Sequence, residues 1–336
     1  MTKPLLSICI PTYNRAEYLE KSLESLVSQP EFAQIEVVIS DNASTDNTEE
    51  VCRSYQKKYP NIVYFRNEEN IHDRNFPTAL MRANGIYRKL YNDNMLHLSG
   101  SLRFLLELID TYKDSKPLMF FLHGKFGAKK INNPEKFEVK GVDELVLYTS
   151  HHFTWLAGFG FWEDECTNLE KEFDWCEKKI WQSYKGLKSA SARSKSVIVT
   201  KKLIEWIPVA KRDYTYGLYT VFFQNFPNLL SEYKVIGKIS KKTVSRVRKH
   251  MLFTLAGGWI GNVKHNLNAE VGNQKNFMNL IFHDYRKEIY YPFFRIDFFV
   301  RNAKKKFVIK AKELLCNNSF GKKLLAFKRK YNLKFY

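Results

Sequence analysis

Hydrophobic and polar positions alternate in blocks along the first hundred residues, and these blocks predict strands and helices in turn. Short apolar runs predict strands at residues 5–10, 35–40, 62–65 and 86–91. Apolar residues three or four apart predict helices at residues 16–28, from the Asp46–Glu49 capping-box pattern to about residue 58, and at 75–83. This order predicts a mostly parallel sheet with helices on both faces.

Polar clusters follow three of the four predicted strands. They are Thr12-Tyr13-Asn14-Arg15, the run Asp41-Asn42-Ala43-Ser44-Thr45-Asp46, and Asn92-Asp93-Asn94. Ligands of parallel sheets bind outside the carboxyl ends of the strands, where these clusters are expected to lie. The sequence has no G-x-G-x-x-G after the first strand and no P-loop motif, so carboxylates, amides and one tyrosine must do the binding. Such a set suits a nucleoside diphosphate, with a carboxylate on the edge of the base and Tyr13 either stacked on the face of the base or lining the pocket.

The composition indicates a folded protein of a reducing compartment. Hydrophobic residues make up 44% of the 336 positions, and the five cysteines include no C-x-x-C pair. The N-terminus lacks the pattern of a signal peptide, and we expect a cytoplasmic location. Residues 145–162 contain no Lys, Arg, Asp or Glu, but their histidines, serine and threonines favour buried protein over a membrane span.

The net charge of +19 is unevenly distributed. Residues 1–100 hold 11 basic and 13 acidic side chains, whereas residues 285–336 hold 15 basic and 3 acidic ones. In the C-terminal stretch, apolar positions recur at helical spacing from Phe299 to Leu315, with lysines on other faces. This pattern predicts a helix that binds an anionic membrane surface. A packed C-terminal helix with a solvated basic face is the alternative, and a nucleic-acid tail is disfavoured because no nucleic-acid module accompanies it.

Two segments carry a family resemblance. SICIPTYNR at residues 7–15 and VISDNASTD at residues 38–46, together with Asn92-Asp93-Asn94, resemble family 2 glycosyltransferases with the GT-A fold. HHFTW at 151–155, GFGFW at 158–162 and YTYGLYTVF at 214–222 resemble the narrower group of abequosyltransferase-like bacterial enzymes. The resemblance implies an α/β GT-A fold with a mostly parallel nucleotide-binding sheet flanked by helices, to which the charge and apolar pattern adds a helical basic C-terminal extension.

The resemblance also implies roles for particular residues. The nucleotide-sugar site would include Pro11, Thr12, Tyr13, Asn14, Arg15, Asp41, Asn42 and Asp93, with Asp41 on the base. Asp93 and Asn94 would hold Mg²⁺ or Mn²⁺ on the donor pyrophosphate. Asn92 and Asn94 stand where many relatives have aspartates, and a neutral amide binds such ions more weakly than a carboxylate does.

An inverting enzyme of this kind needs a base for the acceptor hydroxyl. The acidic cluster Glu163-Asp164-Glu165, directly after the aromatic segment, is the predicted base, and Asp174 is the weaker alternative. His151 and His152 could serve as base, bind pyrophosphate or be satisfied polar residues. Trp155, Phe159, Phe161 and Trp162 are predicted to be core rather than an acceptor platform.

These expectations combine into one hypothesis. Residues 1–230 would form the GT-A domain, with a nucleotide-sugar half at 1–115 and an acceptor half at 116–230, and residues 231–336 the helical basic region. The protein would move a sugar from a UDP-, CDP-, dTDP- or GDP-linked donor to a lipid-linked glycan. It would do so at the cytoplasmic face of the inner membrane, in the synthesis of O-antigen of lipopolysaccharide, of capsule or of a similar surface polysaccharide. The alternative is a non-catalytic protein that binds nucleotide-sugars or polyanions.

Overall fold

The computed structural model describes residues 3–125, 127, 129, 134–208, 217, 219–256, 274–301 and 303. The strands are β1 (Leu6–Thr12), β2 (Glu36–Asp41), β3 (Ile62–Arg66), β4 (Tyr87–Leu90), β5 (Met95–His97), β6 (Leu118–Phe121), β7 (Lys136–Lys140), β8 (Gly160–Trp162), β9 (Lys195–Val199) and β10 (Ile204–Trp206). The helices are α1 (Ala16–Val27), α2 (Thr48–Lys58), α3 (Asn75–Arg82), α4 (Ser101–Tyr112), α5 (Gly141–Thr149), α6 (Phe173–Glu177), α7 (Trp181–Ala192), α8 (Phe226–Val235), α9 (Lys241–Met251) and α10 (Gln274–Tyr285).

The main sheet has the strand order β3-β2-β1-β4-β8. The first four of these strands run parallel, and β8 pairs antiparallel with β4. Every residue of β1 and β2 is buried, as expected of central parallel strands covered on both faces. The four strands and three helices predicted in the first hundred residues are confirmed, with their ends shifted by a few residues.

Two local expectations need correction. Pro11 lies inside β1 instead of ending it, because the ladder with β4 stops at Cys9–Leu90 and Pro11 breaks no bond there. The Asp46–Glu49 capping box does not form, since Glu49 pairs with Arg53 on the next turn of α2. Asp46 alone caps the helix, where its carboxylate accepts the Thr48 N–H at 3.0 Å.

Two smaller sheets complete the fold. β6 and β9 are parallel, with β7 antiparallel on the other side of β9. β5 and β10 form an antiparallel ribbon directly after the Asn92-Asp93-Asn94 cluster. Through this ribbon, the residues that follow Asn94 pair with residues 204–206, which lie more than one hundred positions later in the chain.

The chain divides into two compact units, residues 1–250 and residues 251–336. The functional division predicted between residues 230 and 231 stays a prediction. Cys9, Cys52, Cys166 and Cys176 are buried free thiols. Across the described ranges, no helix combines the length and the apolarity needed to span a bilayer.

Candidate active site

The loops after β1 and β2 are tied together by side chains of both. Asn14 has a left-handed backbone with φ of 51°, and its N–H donates to Ser44 Oγ at 2.9 Å. Its Oδ1 accepts the Thr45 N–H at 2.7 Å. Asparagine tolerates the left-handed region better than most residues, which explains its place at this turn. The two loops therefore form one preassembled edge.

Asp46 joins the N-termini of two helices at this edge. Its carboxylate accepts the Ala16 N–H at 3.2 Å, at the start of α1, as well as the Thr48 N–H at the start of α2. Burial alone would raise the pKa of Asp46, but bonds from Thr48 and from the Ala16 N–H hold that pKa below its ordinary value. This residue is a negative charge fixed by the fold.

Asp41, the last residue of β2, is fully buried and bonded within the chain. Its Oδ2 accepts Tyr64 OH at 2.8 Å and Arg66 Nη1 at 2.9 Å, and its Oδ1 accepts the Ser44 N–H at 3.0 Å. The bond from Asp41 raises the pKa of the Tyr64 phenol, although burial is the larger cause. The predicted contact of Asp41 with a base stays a prediction, and in this structure its carboxylate holds three elements together.

Sequence reasoning missed Tyr64 and Arg66, which lie on the neighbouring strand. A signal for Arg66 was present, because β3 ends on a cation in register with Asp41. Asn42 is likewise a brace: its Nδ2 donates to the His72 carbonyl at 3.1 Å and its Oδ1 accepts Asn67 Nδ2 at 2.9 Å.

Asp93 lies beside the end of β1, as the parallel topology requires. Thr12 Oγ1 donates to Asp93 Oδ2 at 3.0 Å, which joins two of the predicted site residues. Burial raises the pKa of Asp93 to about 6, and the nearby positive charge of Arg15 opposes that rise. A half-buried carboxylate with a raised pKa at this edge is a candidate functional group.

The two asparagines that flank Asp93 differ in their bonds. Asn94 is buried and its Nδ2 donates to the Ile207 carbonyl at 3.2 Å, so it fixes the ribbon. Asn92 Oδ1 is buried and lacks a hydrogen-bond partner in the described part of the chain. Asn92 Oδ1 is therefore a further oxygen beside Asp93 that could bind a ligand, and the predicted role of Asn94 stays a prediction.

Tyr13 and Arg15 complete the edge. The Tyr13 side chain is 42% exposed, which leaves its ring available to a ligand. The Arg15 guanidinium lies 5.5 Å from the centroid of the Tyr18 ring, a cation–π contact that orients it. The structure thus brings Thr12, Arg15 and Asp93 into one neighbourhood, with Tyr13 next to them in the chain.

The acidic cluster Glu163-Asp164-Glu165 lies at the opposite edge of the sheet. Because β8 runs antiparallel to β4, its last residue Trp162 pairs with Tyr87, the first residue of β4. The Glu163 N–H donates to the carbonyl of Ile86, the residue before β4. The length of β4, about 10 Å, therefore lies between the acidic cluster and the carboxyl edge of the sheet. The predicted role of this cluster as the catalytic base stays a prediction.

The cluster is also occupied by ion pairs. Glu163 pairs with Lys3, and Asp164 pairs with Lys116 at 3.2 Å and Arg193 at 3.0 Å. Burial would raise the pKa of Asp164, but the hydrogen bonds from Arg193 and Lys116 lower it. A carboxylate held this way is a weak base, and we do not assign it a role in catalysis.

The segment between α5 and β8 enters the sheet from the Asp93 side. The rings of His151 and His152 lie 4.0 Å apart between centroids and are inclined by 42°, and burial lowers the pKa of His151 to about 2. Phe159, Phe161 and Trp162 are fully buried, which confirms their prediction as core. Asp174 lies exposed on α6.

Trp155 departs from the core prediction. It is only partly buried, and its ring stacks on that of Trp206 at 5.4 Å.

Of the resembling segment 214–222, residues 214–216 and 218 lie outside the described residues, as does the predicted amphipathic stretch beyond Ala303.

Comparison with known proteins finds a family match for the part of the chain that contains this edge. Residues 7–135 match the family Glycosyl transferase family 2. The chain carries a family 2 glycosyltransferase domain. Abequosyltransferase RfbV of Salmonella typhimurium is 38% identical over 153 residues, which cover 44% of this chain and 45% of that protein. The GalNAc(5)-diNAcBac-PP-undecaprenol beta-1,3-glucosyltransferase of Campylobacter jejuni is 34% identical over 106 residues, or 31% of this chain and 34% of that protein.

These two matches span less than half the length of each relative. Among solved structures, TarS 1–349 of S. aureus in complex with UDP-GlcNAc superposes with a TM-score of 0.54 at 15% identity, covering 83% of this chain and 81% of that one. At this identity the likeness shows the fold alone. The family 2 domain has the predicted α/β GT-A fold.

Proposed function

We propose that this protein is an inverting glycosyltransferase that moves a sugar from a nucleotide-sugar donor to a lipid-linked saccharide in bacterial surface polysaccharide synthesis. The hydrogen bond between Thr12 and Asp93 carries the proposal, because it joins the polar residues after β1 and β4 at the edge where β2 also ends. The relatives named for abequosyl transfer and for an undecaprenol-linked acceptor support the substrate classes.

In the reaction, the acceptor oxygen forms a bond to the anomeric carbon of the donor. The bond from that carbon to the diphosphate breaks, and its electron pair leaves with the nucleoside diphosphate, while the acceptor proton passes to a base. Tyr13 would stack on the base of the nucleotide, and Arg15 would offer a positive charge to the diphosphate. The rigid loops after β1 and β2 would hold the donor in place without reorganisation.

A divalent cation fits this edge if phosphate oxygens of the donor complete the coordination of the cation. Among the described residues no three His, Cys, Asp or Glu side chains converge on a metal site. Asp93 and the unpartnered Asn92 Oδ1 supply one carboxylate and one amide oxygen. Mg²⁺ commonly takes one or two carboxylates and fills its shell with phosphate oxygens and water. Such an ion would neutralise charge on the leaving diphosphate.

Donor hydrolysis tests the proposal. We expect the full chain with Mn²⁺ to release nucleoside diphosphate from one member of a panel of UDP-, CDP-, GDP- and dTDP-sugars. The Asp93→Ala variant should lose at least a thousandfold of that rate, since the charge that organises the diphosphate is gone. The Asp110→Ala variant is the control, because Asp110 is an exposed partner of Lys113 on α4.

One rival function has an observation in its favour. With only one carboxylate at the metal position, the chain could bind nucleotide-sugars or polyanions without turnover. Nucleotide binding in a thermal-shift screen, combined with no release from any donor in the presence of a lipid-linked saccharide, would establish the rival and overturn the transferase.

We further propose that the C-terminal unit docks on an anionic membrane surface. Residues 291–301 are helical, and Phe293, Ile296 and Phe299 expose 66%, 64% and 74% of their surface at helical spacing. Arg286, Lys287, Arg295 and Arg301 lie in or just before this helix. An outward apolar stripe with neighbouring cations matches a helix that lies in the headgroup region.

Vesicle sedimentation tests the membrane proposal. The full chain should pellet with vesicles that contain 30% phosphatidylglycerol, and the Ile296→Ser, Phe299→Ser double variant should lose about tenfold in partition. The matched control is the Val235→Ser, Ile236→Ser double variant, which removes two exposed apolar residues that follow each other at the end of α8. Equal loss in both double variants would reject a specific docking helix.

A further inference from the structure

An exposed tryptophan lies close to Asp93 through the β5–β10 ribbon. Trp206 ends β10 and pairs with Met95, two residues after Asp93. The Ile207 N–H donates to the Asn94 carbonyl at 2.9 Å, which fixes this register. Two Cα steps and one antiparallel pair place the Cα atoms of Asp93 and Trp206 at most about 13 Å apart. That distance spans one or two sugar rings.

Trp206 is half of a stacked pair. Its ring is 5.4 Å from that of Trp155 and inclined by only 11°, and 42% of its surface remains exposed. Lys125 Nζ lies 4.3 Å from the centroid of the Trp155 ring. Trp155 belongs to the segment that enters β8 at the carboxyl end of β4, where the Phe159 carbonyl accepts the Leu90 N–H. The pair therefore lies on the Asp93 side of the sheet.

Two buried polar atoms beside the pair lack partners within the described ranges. They are Trp155 Nε1 and His123 Nδ1, and the two rings lie 5.5 Å apart. His123 Nε2 lies 3.3 Å from the Ala157 carbonyl, so Nε2 carries the proton and Nδ1 is an acceptor. One atom is a donor and the other an acceptor, and a hydroxyl group can supply the partner of either.

We propose that Trp206 and Trp155 form a platform for a sugar ring of the acceptor saccharide, with Trp155 Nε1 and His123 Nδ1 at its hydroxyl-binding side. The apolar C–H face of a pyranose packs on the electron-rich face of an indole. The exposed side of Trp206 is open to a ligand that arrives from solvent, whereas the donor sugar is confined by its diphosphate near Asp93. This assignment rests on the proposed transferase function.

Direct binding of simple sugars tests the platform without turnover. The probes are the methyl glycosides of glucose, galactose, mannose, rhamnose and N-acetylglucosamine, each followed with the full chain by saturation-transfer NMR. At least one should bind the wild-type chain, and Trp206→Ala should weaken it tenfold or more. Trp206→Phe should retain most of the binding because it keeps an aromatic face, whereas Trp206→Leu should not.

The chain offers a matched control for the loss of a stacked tryptophan. Trp175 stacks on Tyr184 at 4.3 Å and has Lys178 Nζ 3.9 Å from its ring centroid, but it lies on α6. Trp175→Ala should leave glycoside binding unchanged. An equal loss in Trp175→Ala and Trp206→Ala would overturn the platform, and so would a wild-type chain that binds none of the probes.

Competition distinguishes the acceptor from the donor sugar. If a nucleotide-sugar displaces the glycoside and the free nucleotide does not, the pair holds the donor sugar and the acceptor assignment is overturned. Glycoside binding that persists with a saturating nucleotide-sugar supports the acceptor assignment. A chain that binds glycosides through Trp206 but hydrolyses no donor would lose the proposed function and keep the platform.

Discussion

Asp41 ends β2 and Asp93 follows β4, so both lie at the carboxyl edge of the main sheet. The two carboxylates differ in burial and in the number of hydrogen bonds that they accept. Asp41 is fully buried and accepts bonds from Ser44, Tyr64 and Arg66. Asp93 is half-buried, accepts one side-chain bond from Thr12, and has its pKa raised to about 6, chiefly by burial. Asp41 therefore has its hydrogen bonds to the protein already made and stabilises the loop after β2. Asp93 accepts fewer bonds from the protein and can still bind a ligand.

The largest expected effect that separates these two carboxylates is on stability. Asp41→Asn should destabilise the fold by about 3 kcal/mol, because it removes the charge of a fully buried carboxylate that pairs with the partly exposed Arg66, and it turns an amide donor toward other donors. Asp93→Asn should stabilise the fold at pH 8 by up to about 3 kcal/mol. Urea unfolding of both variants measures the two free energies.

The sign for Asp93 follows from its raised pKa. The carboxyl binds its proton more tightly in the folded chain, so its contribution to stability is complete below its ordinary pKa of 3.8 and is lost as the pH rises through about 6. The gain from Asp93→Asn should therefore shrink toward pH 4. Asp110→Asn, at an exposed pair on α4, should change stability by less than about 0.5 kcal/mol. If Asp93→Asn destabilises the fold at pH 8, Asp93 has a structural role like that of Asp41.

A smaller effect is expected on the pH dependence of turnover. Below a pH of about 6 Asp93 of the unliganded chain becomes neutral and attracts a cation less, so the wild-type kcat/KM for donor hydrolysis, which reports the free protein, should fall about tenfold per pH unit. Asp73 is a useful control, because burial raises its pKa to about 6 as well, but it lies in the turn before α3. Asp73→Asn should leave the pH profile unchanged. A wild-type rate that stays constant between pH 7 and pH 5 would separate Asp93 from the reaction.

Local patterns predicted the polar edge at the carboxyl ends of the strands, because each part of that edge is marked locally in the sequence. Each strand end from Thr12 to Asp93 is marked by an apolar run followed by polar residues, and parallel connections bring such ends to one side. The direction of β8 carries no such local signal. Three residues, Gly160–Trp162, pair antiparallel with β4 and so move the acidic cluster to the far edge.

Trp206 could not be found from the sequence for a similar reason. Its partners are Met95 and Trp155, which lie 111 and 51 positions earlier, and the short run Ile204–Trp206 has no distinguishing motif. Arg66 was closer to detection, since a cation at the end of a strand beside Asp41 predicts an ion pair once the strand order is known. Long-range pairing, rather than weak local preference, limited the prediction of the site.

The smallest expected effect concerns the acidic cluster at the amino edge. Asp164→Asn should change donor hydrolysis and glycosyl transfer by less than about twofold, because β4 separates it from Asp93 and its charge is already neutralised by Lys116 and Arg193. The loss of these partly exposed ion pairs should lower stability by no more than about 1 kcal/mol. Steady-state rates with saturating donor measure the first effect, and urea unfolding measures the second. A loss of transfer of a hundredfold or more, with donor hydrolysis intact, would restore Asp164 as the base and would require that the acceptor approach from the edge opposite to Asp93.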